Sequence, residues 1–228
     1  MGYRRNMSKM HQGLTLWHER WAQGRIGFHR SEINDHLLRH ADTLPKGSPR
    51  VLVPLCGKSI DMHWLVSQGA SVNGVELVQA AIDDFWAEAD VVPQQTQNGA
   101  LTQTAHGELS ILQADIFAVT PEHLGLVDAV YDRAALIAIP PGEQSRYARH
   151  ILSLVRPGGV ILLLTYDMPL PPEQGPPFSV HPDRVPELYS EATEVSLLET
   201  VMHNHETEPK LLKRGVAWAR EGIWRIVR

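Results

Sequence analysis

Short apolar runs alternate with helix-like segments along most of the chain. Uninterrupted apolar runs of this length are typical of parallel strands that are buried on both faces. Between the runs, apolar residues recur at i, i+3 and i+4, which indicates amphipathic helices. The alternation predicts an α/β fold with a mostly parallel sheet. The predicted parallel strands are residues 51–55, 70–75, 110–114, 127–131 and 160–165.

Two helices are predicted before the first strand. In the first, residues 14–22, helical spacing places Leu14, Trp17, His18 and Trp21 on one face. The second follows Ser31 as its N-cap and reaches about His40, with Ile33, Leu37 and Leu38 turned inward. We interpret residues 14–45 as a helical cap and residues 1–13 as a flexible leader of a single domain spanning 1–228.

The remaining segments complete this order. Helices are predicted at residues 78–89 and 142–155, and Pro157-Gly158-Gly159 is expected to end the latter. The polar segment 93–107 is interpreted as a loop insertion. Six prolines between Pro169 and Pro182 indicate a long crossing loop, and residues 195–203 and 223–227 are predicted to form the last, antiparallel pair.

The first strand–helix–strand unit carries the signs of a nucleotide-cofactor site. Cys56-Gly57 forms the turn after the first strand, where a glycine lets backbone N–H groups approach a ligand. The second strand leads into Glu76, nineteen positions after Gly57. A Rossmann-type unit offers a carboxylate to ribose hydroxyls at about this spacing, roughly 20 residues on.

Three kinds of cofactor site compete for this unit. A phosphate-binding P-loop requires a glycine five residues before Gly57, and position 52 is Leu. A dinucleotide site requires G-x-G-x-x-G, whereas Leu55, Cys56 and Lys58 surround a single glycine. A nucleoside cofactor that has ribose hydroxyls but no phosphate remains, and S-adenosylmethionine is the common one.

Polar residues follow several of the predicted parallel strands, where an open α/β sheet binds its ligands. Glu76 is either a bidentate acceptor for both ribose hydroxyls or a solvated carboxylate at a strand end. Asp115 either orients an adenine amino group, with Ile116 covering the ring, or caps its own loop. Asp132-Arg133 and Tyr166-Asp167 follow two further strands.

Six segments together resemble the bacterial branch of the thiopurine S-methyltransferase family. They are WHERW (17–21), IGFH (26–29), VPLCGKS (53–59), GVE (74–76), YDRAALIAI (131–139) and GPPFSV (175–180). Each segment alone is a weak signal, whereas PLCGK followed by GVE and DR-x-AL is a specific combination. The resemblance implies a Rossmann-like class I methyltransferase fold with seven strands, S-adenosylmethionine as methyl donor, S-adenosylhomocysteine as product and a thiol acceptor.

The resemblance also implies roles for individual residues. It implicates Trp21, Leu55, Glu76 and Arg133 in cofactor binding, and places Arg133 beside the acceptor as well. A structural ion pair, for example with Asp132, is the alternative for Arg133. An aromatic wall suits a positively charged sulfonium, and the candidates that would also line the acceptor pocket are Phe28 and Phe178.

Catalytic side chains are less well defined. An acidic heterocyclic thiol needs little help from a general base, and Asp132 and Asp167 are the carboxylates that we nominate as proton acceptors. Cys56 is interpreted as a packing residue rather than a nucleophile, since direct methyl transfer needs no covalent intermediate. His203 and His205 have metal-like spacing but no third ligand nearby, so no metal is predicted.

Composition excludes other classes of protein. With 228 residues and 43% hydrophobic residues the chain suits one soluble domain. A net charge of −5 argues against a nucleic-acid partner, and we find neither a membrane span nor the apolar core of a secretory signal. One cysteine excludes an intramolecular disulfide. We expect a cytoplasmic monomer that acts on a small molecule.

The sequence leaves two alternatives to thiol methylation open. The first is methylation of selenium, tellurium or another small anionic acceptor. The second is a catalytically silent protein that binds the cofactor as a sensor.

Overall fold

A single mixed sheet organises the computed structural model, which describes residues 16–228. Its strands are β1 (Arg50–Pro54), β2 (Ser71–Glu76), β3 (Gln94–Asn98), β4 (Leu101–His106), β5 (Leu109–Gln113), β6 (Val127–Arg133), β7 (Val155–Asp167), β8 (Glu194–Asn204) and β9 (Trp218–Val227). The helices are α1 (described from residue 16 to 22), α2 (Asp35–His40), α3 (Asp61–Ser67), α4 (Gln79–Glu88), α5 (Pro121–Leu124), α6 (Gln144–Leu154), α7 (Arg184–Leu188) and α8 (Lys210–Arg214).

The strand order is β3-β4-β5-β2-β1-β6-β7-β9-β8. Strands β5, β2, β1, β6 and β7 are parallel neighbours, whereas β9 is antiparallel to both β7 and β8. The predicted α/β class, the parallel core and the antiparallel last strand are therefore confirmed. The seven expected strands are present, and a hairpin of two further strands extends the sheet within residues 16–228.

This hairpin corrects the interpretation of residues 93–107 as a loop. Strands β3 and β4 pair from Gln94–Ala105 to Asn98–Leu101, which leaves a two-residue turn that starts with Gly99 at φ +63°. A glycine in this position is typical of tight hairpin turns. The Trp86 indole donates to Thr104 Oγ1 at 2.9 Å and ties the hairpin to α4. The polar, exposed β3 lacks the apolar alternation that marks a strand.

The cap differs from the prediction in one boundary. Helix α2 begins at Asp35, and its N-cap is Asn34 rather than Ser31, because the Asn34 side chain accepts from the backbone N–H groups of His36 and Leu37. Leu37 is buried as expected, whereas Leu38 is exposed. In the first helix Trp21 is buried and His18 is exposed, and Leu14 and the predicted leader lie outside the described residues.

Pro157-Gly158-Gly159 also behaves differently from the prediction. Helix α6 ends before it at Leu154, and β7 passes through the three residues instead of starting after them. The register between β6 and β7 shifts at this point, which accommodates the extra residues. Gly158 donates to the carbonyl of Arg228, and Arg228 donates to the carbonyl of Gly159, so the segment remains paired.

Apolar side chains form a core on each face of the sheet. One core contains residues of α6 and α7, such as Tyr147 and Leu188, and the other contains residues of α2, α3 and α4, such as Leu37 and Met62. A smaller cluster joins Trp21 to the start of α4. Within residues 16–228, no helix is both long and apolar enough to cross a membrane.

Candidate active site

The turn after β1 has an unusual backbone. Leu55 has φ +47° and Gly57 has φ +52°, and the Cys56 N–H donates to the Val75 carbonyl of β2 at 3.0 Å. A left-handed conformation is uncommon for a leucine and costs about 1–3 kcal/mol. Such strain clusters at functional sites, and this turn is the predicted cofactor turn.

Glu76 gathers three backbone donors at the end of β2. Its Oε2 accepts from Gly57 N at 2.9 Å, and its Oε1 accepts from Leu77 N and Val78 N at 2.8 Å each. Burial raises the pKa of this carboxyl, and the three backbone hydrogen bonds partly oppose that effect. Glu76 therefore fixes the β1 turn, the end of β2 and the start of α4 relative to one another.

An aromatic cluster of Trp17, Trp21 and Phe28 covers this turn. The Trp21 and Phe28 rings lie 5.9 Å apart and those of Trp17 and Phe28 5.8 Å apart, both edge to face. A Cβ at Gly57 would lie 3.2 Å from Trp21 Cζ2 and 3.7 Å from a Phe28 ring carbon. A side chain at this position would crowd Trp21 and would also have to adopt a positive φ, so glycine suits this turn.

Arg133 links the end of β6 to the cap. Its Nη2 donates to the Phe28 carbonyl at 2.9 Å, so the guanidinium holds the loop that carries the aromatic ring. The next residue, Ala134, has φ +63°, a second left-handed residue at a strand end beside β1. An ion pair between Arg133 and Asp132 is not what the structure shows, because the Asp132 carboxylate has other partners.

Asp132 lies in the core beneath this turn. Its Oδ1 accepts from Leu136 N at 3.0 Å and its Oδ2 from the Tyr147 hydroxyl at 2.7 Å. Burial raises its pKa to about 6, although hydrogen bonds from Leu136 N, Tyr147 and Ala135 N oppose the shift. Both oxygens of this fully buried carboxyl are engaged, which favours a structural role, while proton acceptance by Asp132 stays a prediction.

Asp167 is also engaged on both oxygens. Arg220 Nη2 lies 2.5 Å from Oδ2, and the Ser179 hydroxyl donates to Oδ1 at 2.9 Å. Ser179 belongs to the proline-rich loop, so Asp167 anchors that loop to β7. Phe178 in the same loop is buried and donates its N–H to the Ile137 carbonyl at 2.7 Å, which places it near the end of β6.

At the end of β5 the structure shows a loop cap. Asp115 Oδ1 accepts from Phe117 N at 3.0 Å and thereby starts a 3-10 turn, Ile116–Ala118. Ile116 is buried, and its carbonyl lies 2.7 Å from His150 Nε2 of α6. The capping role expected as one alternative for Asp115 is thus present, while a contact with adenine stays a prediction.

Several of these residues were not anticipated from the sequence. His150 and Ser179 are single polar residues on a helix and in a loop, and no motif marks them. Asp61 is another: it accepts from Asn34 N at 2.9 Å and from the Tyr131 hydroxyl at 3.1 Å, which fastens the cap to β6. An acidic residue in the first turn of α3 resembles an ordinary helix start, so its buried position carried no signal.

The structure favours packing for Cys56. The thiol is buried. This burial and, to a smaller extent, the nearby Glu76 carboxylate raise the pKa of the thiol well above its usual range. Its sulfur would lie 2.8 Å from a Cβ on Gly74, so the side chain fills the space between β2 and α3. Reactive cysteines need a lowered pKa, and this one has the opposite shift.

His203 and His205 have separate partners. His203 Nε2 lies 3.1 Å from Glu221 Oε2, and His205 Nε2 lies 2.7 Å from the Val216 carbonyl. Among residues 16–228 no group of three or more potential ligands is arranged to hold a metal ion.

A groove of about 270 Å³ between α3 and α4 is lined by none of the predicted site residues.

Comparison with solved structures identifies the fold. The 1,6-didemethyltoxoflavin-N1-methyltransferase of Burkholderia thailandensis superposes with a TM-score of 0.60 at 16% identity, over 94% of this chain and 87% of that chain. The N-methyltransferase NodS of Bradyrhizobium japonicum, solved with S-adenosylhomocysteine, gives 0.56 at 13% identity, over 85% and 88%. The chain therefore has a class I S-adenosylmethionine-dependent methyltransferase fold.

Sequence comparison then identifies the family. The model of the family described as thiopurine S-methyltransferase (TPMT) matches residues 13–228. The thiopurine S-methyltransferase of Pseudomonas aeruginosa strain UCBPP-PA14 is 41% identical over 216 residues, 93% of this chain and 98% of the relative. That of Legionella pneumophila strain Philadelphia 1 is 39% identical over 220 residues, 95% and 99%. The chain belongs to the thiopurine S-methyltransferase family, as the six segments indicated.

The raised pKa of Asp132 generates a test of its structural role. Its folded pKa of about 6 lies above the reference value of 3.8, so its contribution to stability is complete below pH 3.8 and is lost as the pH rises through 6. In Asp132→Asn the amide stays neutral, accepts from Leu136 N and donates to the Tyr147 hydroxyl. Urea unfolding between pH 4 and 7 should show wild type losing roughly 2 kcal/mol relative to the variant, because one pKa unit corresponds to about 1.36 kcal/mol and part of the shift from 3.8 to about 6 is already expressed at pH 4. Parallel pH curves would contradict the assignment.

Proposed function

We propose that this protein transfers a methyl group from S-adenosylmethionine to the sulfur of an aromatic or heterocyclic thiol such as a thiopurine. Membership of the family supports the reaction class. The observation that carries the proposal is the contact between Glu76 and the Gly57 N–H, which joins a single-glycine turn to a strand-end carboxylate at 2.9 Å. This pairing provides an acceptor for ribose hydroxyls and no array of donors for a phosphate.

The donor and acceptor set fits this cofactor. A carboxylate has about four acceptor positions, and Glu76 uses three of them for backbone N–H groups. The remaining position would accept a hydrogen bond from one ribose hydroxyl. The second ribose hydroxyl would have to take the position that the Gly57 N–H group occupies. A role for Glu76 as acceptor for both hydroxyls therefore requires the β1 turn to rearrange. Ile116, buried at the end of β5, would cover the adenine ring.

When bound, S-adenosylmethionine supplies an electrophilic methyl group on a sulfonium sulfur. The faces of Trp21 and Phe28 would attract that positive charge, and they carry no strong nucleophile that competes for the methyl group. Arg133 would position Phe28 through its carbonyl contact and leave part of its guanidinium for the acceptor. The cap would also exclude water from the centre.

The chain contributes mainly positioning. Holding two reactants in line lowers the barrier by about 7–11 kcal/mol in the best intramolecular cases. A thiolate that is already ionised needs no proton acceptor, which agrees with the engagement of Asp132 and Asp167 by hydrogen-bond donors. The thiol proton is lost to solvent before the acceptor enters, and S-adenosylhomocysteine leaves after transfer.

The proposal is tested by turnover with a panel of acceptors. Purified protein, S-adenosylmethionine and 6-mercaptopurine should yield S-adenosylhomocysteine and the S-methylated purine in equal amounts, measured by liquid chromatography. Turnover with selenite or tellurite alone would contradict the thiol acceptor. Cofactor binding without turnover on any acceptor would contradict methyl transfer as a whole.

Glu76 should control cofactor affinity. Because each hydrogen bond to a charged acceptor is worth about 1.5–3 kcal/mol, Glu76→Ala is expected to weaken S-adenosylhomocysteine binding roughly 10- to 1000-fold by calorimetry. Glu76→Gln keeps one acceptor oxygen for the backbone donors and separates lost affinity from a disturbed turn. Glu108→Ala, an exposed glutamate between β4 and β5, is the matched control. An affinity within twofold of wild type for both Glu76 variants would contradict the assignment.

Arg133 should matter through its planar guanidinium. Arg133→Lys keeps the charge but loses the fork that can hold the Phe28 carbonyl and face the acceptor together. Catalytic efficiency should fall at least about tenfold, an effect of roughly 1.4 kcal/mol, while the Tm of the unliganded protein changes little. Arg149→Lys on α6 is the control. A large drop in Tm with near-normal kinetics at low temperature would make Arg133 a scaffold residue instead.

A further inference from the structure

The proline-rich loop between β7 and α7 folds back on itself at its start. Ser179 Oγ accepts a hydrogen bond from Met168 N at 2.9 Å, so the two ends of residues 168–179 meet at one side chain. Between these ends, the N–H groups of Leu170 and Gln174 donate to carbonyls of the loop itself. Loops whose ends lie close together and that are packed by their own side chains are frequently functional.

Ser179 is oriented by a charged pair. Its hydroxyl has one proton to donate, and Asp167 Oδ1 lies 2.9 Å from Oγ, whereas the Met168 carbonyl lies 3.1 Å away. The carboxylate is the closer and stronger acceptor, so the hydroxyl donates to it and keeps a lone pair for Met168 N. Arg220, which faces Asp167 from β9, places Nη2 2.5 Å from Asp167 Oδ2. Arg220, Asp167 and Ser179 thus form a chain of contacts that ends at the base of the loop.

The Phe178 ring is held in the same part of the loop. Phe178 N donates to the Ile137 carbonyl at 2.7 Å, and Val180 N donates to the Tyr166 carbonyl at 2.9 Å. These two bonds attach the loop to the segment after β6 and to β7. A Cβ on Gly175 would lie within 3.0 Å of three carbons of the Phe178 ring, so the loop turns directly over this buried ring.

The base of the loop lies on the acceptor side of the predicted site. The carboxyl ends of the parallel strands β6 and β7 form the edge where an open α/β sheet binds its ligands. Met168 packs with Leu211 of α8 in a small apolar cluster. Lys210 of the same helix reaches the Gly27 carbonyl at 3.5 Å, one residue before Phe28. The base of the loop and the segment that carries Phe28 therefore contact the same helix.

We propose that Ser179 is a positioning residue for the acceptor, because its hydroxyl holds the proline-rich loop in the conformation that lets Phe178 line the acceptor pocket. This inference rests on the proposed function, since Phe178 can position an acceptor only if the site takes an aromatic or heterocyclic thiol. A role confined to stability makes a different forecast. Loss of the hydroxyl would then lower the Tm and weaken cofactor and acceptor binding alike.

The first experiment compares the two substrates in serine variants. Ser179→Ala should lower kcat/KM for 6-mercaptopurine about tenfold, as the loss of a hydrogen bond to a charged group predicts, and change S-adenosylhomocysteine affinity by calorimetry less than about twofold. Ser179→Thr keeps the hydroxyl and should restore kcat/KM to within about threefold of wild type. Ser190→Ala, at an exposed position after α7, is the control. Equal losses for cofactor and acceptor in Ser179→Ala would make Ser179 a structural residue only.

Gly175→Ala tests the position of the Phe178 ring by a separate route. The added methyl group would displace the ring and leave the Ser179 hydroxyl in place. Because small misplacements of a positioning group are costly, kcat/KM for 6-mercaptopurine should fall at least about fivefold. An unchanged kcat/KM would show that the ring does not position the acceptor and would overturn the inference.

Amide hydrogen exchange separates this inference from the proposed function, because it requires no acceptor. In Ser179→Ala the Met168 amide should exchange at least about tenfold faster than in wild type, measured by NMR or by mass spectrometry of its peptide, and Ser179→Thr should reverse the change. Unchanged exchange, or faster exchange with unchanged kcat/KM for 6-mercaptopurine, overturns the inference while methyl transfer stands. A wild type that methylates no thiol overturns the proposed function and, with it, the acceptor role of Ser179, whatever the exchange shows.

Discussion

The geometry of the site depends on the three backbone N–H groups that converge on the Glu76 carboxylate. One donor comes from the turn after β1 and two come from the start of α4. Burial alone would favour the protonated carboxyl, and these bonds are what stabilise the charged form. A carboxylate only accepts hydrogen bonds, so Glu76 provides a partner for the Gly57 N–H group. The turn from Leu55 to Gly57 can therefore keep its left-handed backbone.

The helical cap, which carries the aromatic cluster, is held by hydrogen bonds that involve residues of β6. Arg133 holds the Phe28 carbonyl, and the buried Asp61 connects Asn34 of the cap to the Tyr131 hydroxyl. Tyr131 and Arg133 lie two residues apart on the same strand and anchor two points of the same cap. Any shift at the end of β6 is therefore transmitted to the aromatic residues over Gly57, which lie 3.2 and 3.7 Å from the position of a Cβ there. Asp132, between these two residues on the strand, fixes the opposite side of β6 through Leu136 and Tyr147.

The parts of the site that were predictable follow from strand ends and spacing. Glu76 was identifiable because a parallel strand must place its last residue beside the turn of its neighbour. The hairpin at β3 and β4 was missed because its residues are polar on both faces, and only Gly99 signals the turn. The N-cap of α2 is Asn34 rather than Ser31, because the Asn34 side chain accepts hydrogen bonds from two backbone N–H groups. Both residue types are common N-caps, so the residue type alone could not decide between them. Contacts such as Arg133 with Phe28 span 105 residues, so local pattern cannot reveal them.

The engagement of the strand-end carboxylates bears on which acceptors this site can serve. Glu76, Asp132 and Asp167 each accept from donors on both oxygens within the described chain. A hydroxyl acceptor would require one of these carboxylates to break its contacts and take the proton, whereas a thiol with a reference pKa near 8.5, lower still in an acidic heterocycle, ionises without help. Sulfur is also the softer, more polarisable nucleophile. Selectivity for sulfur would then arise because these three carboxylates are already hydrogen-bonded, rather than from a specific sulfur contact.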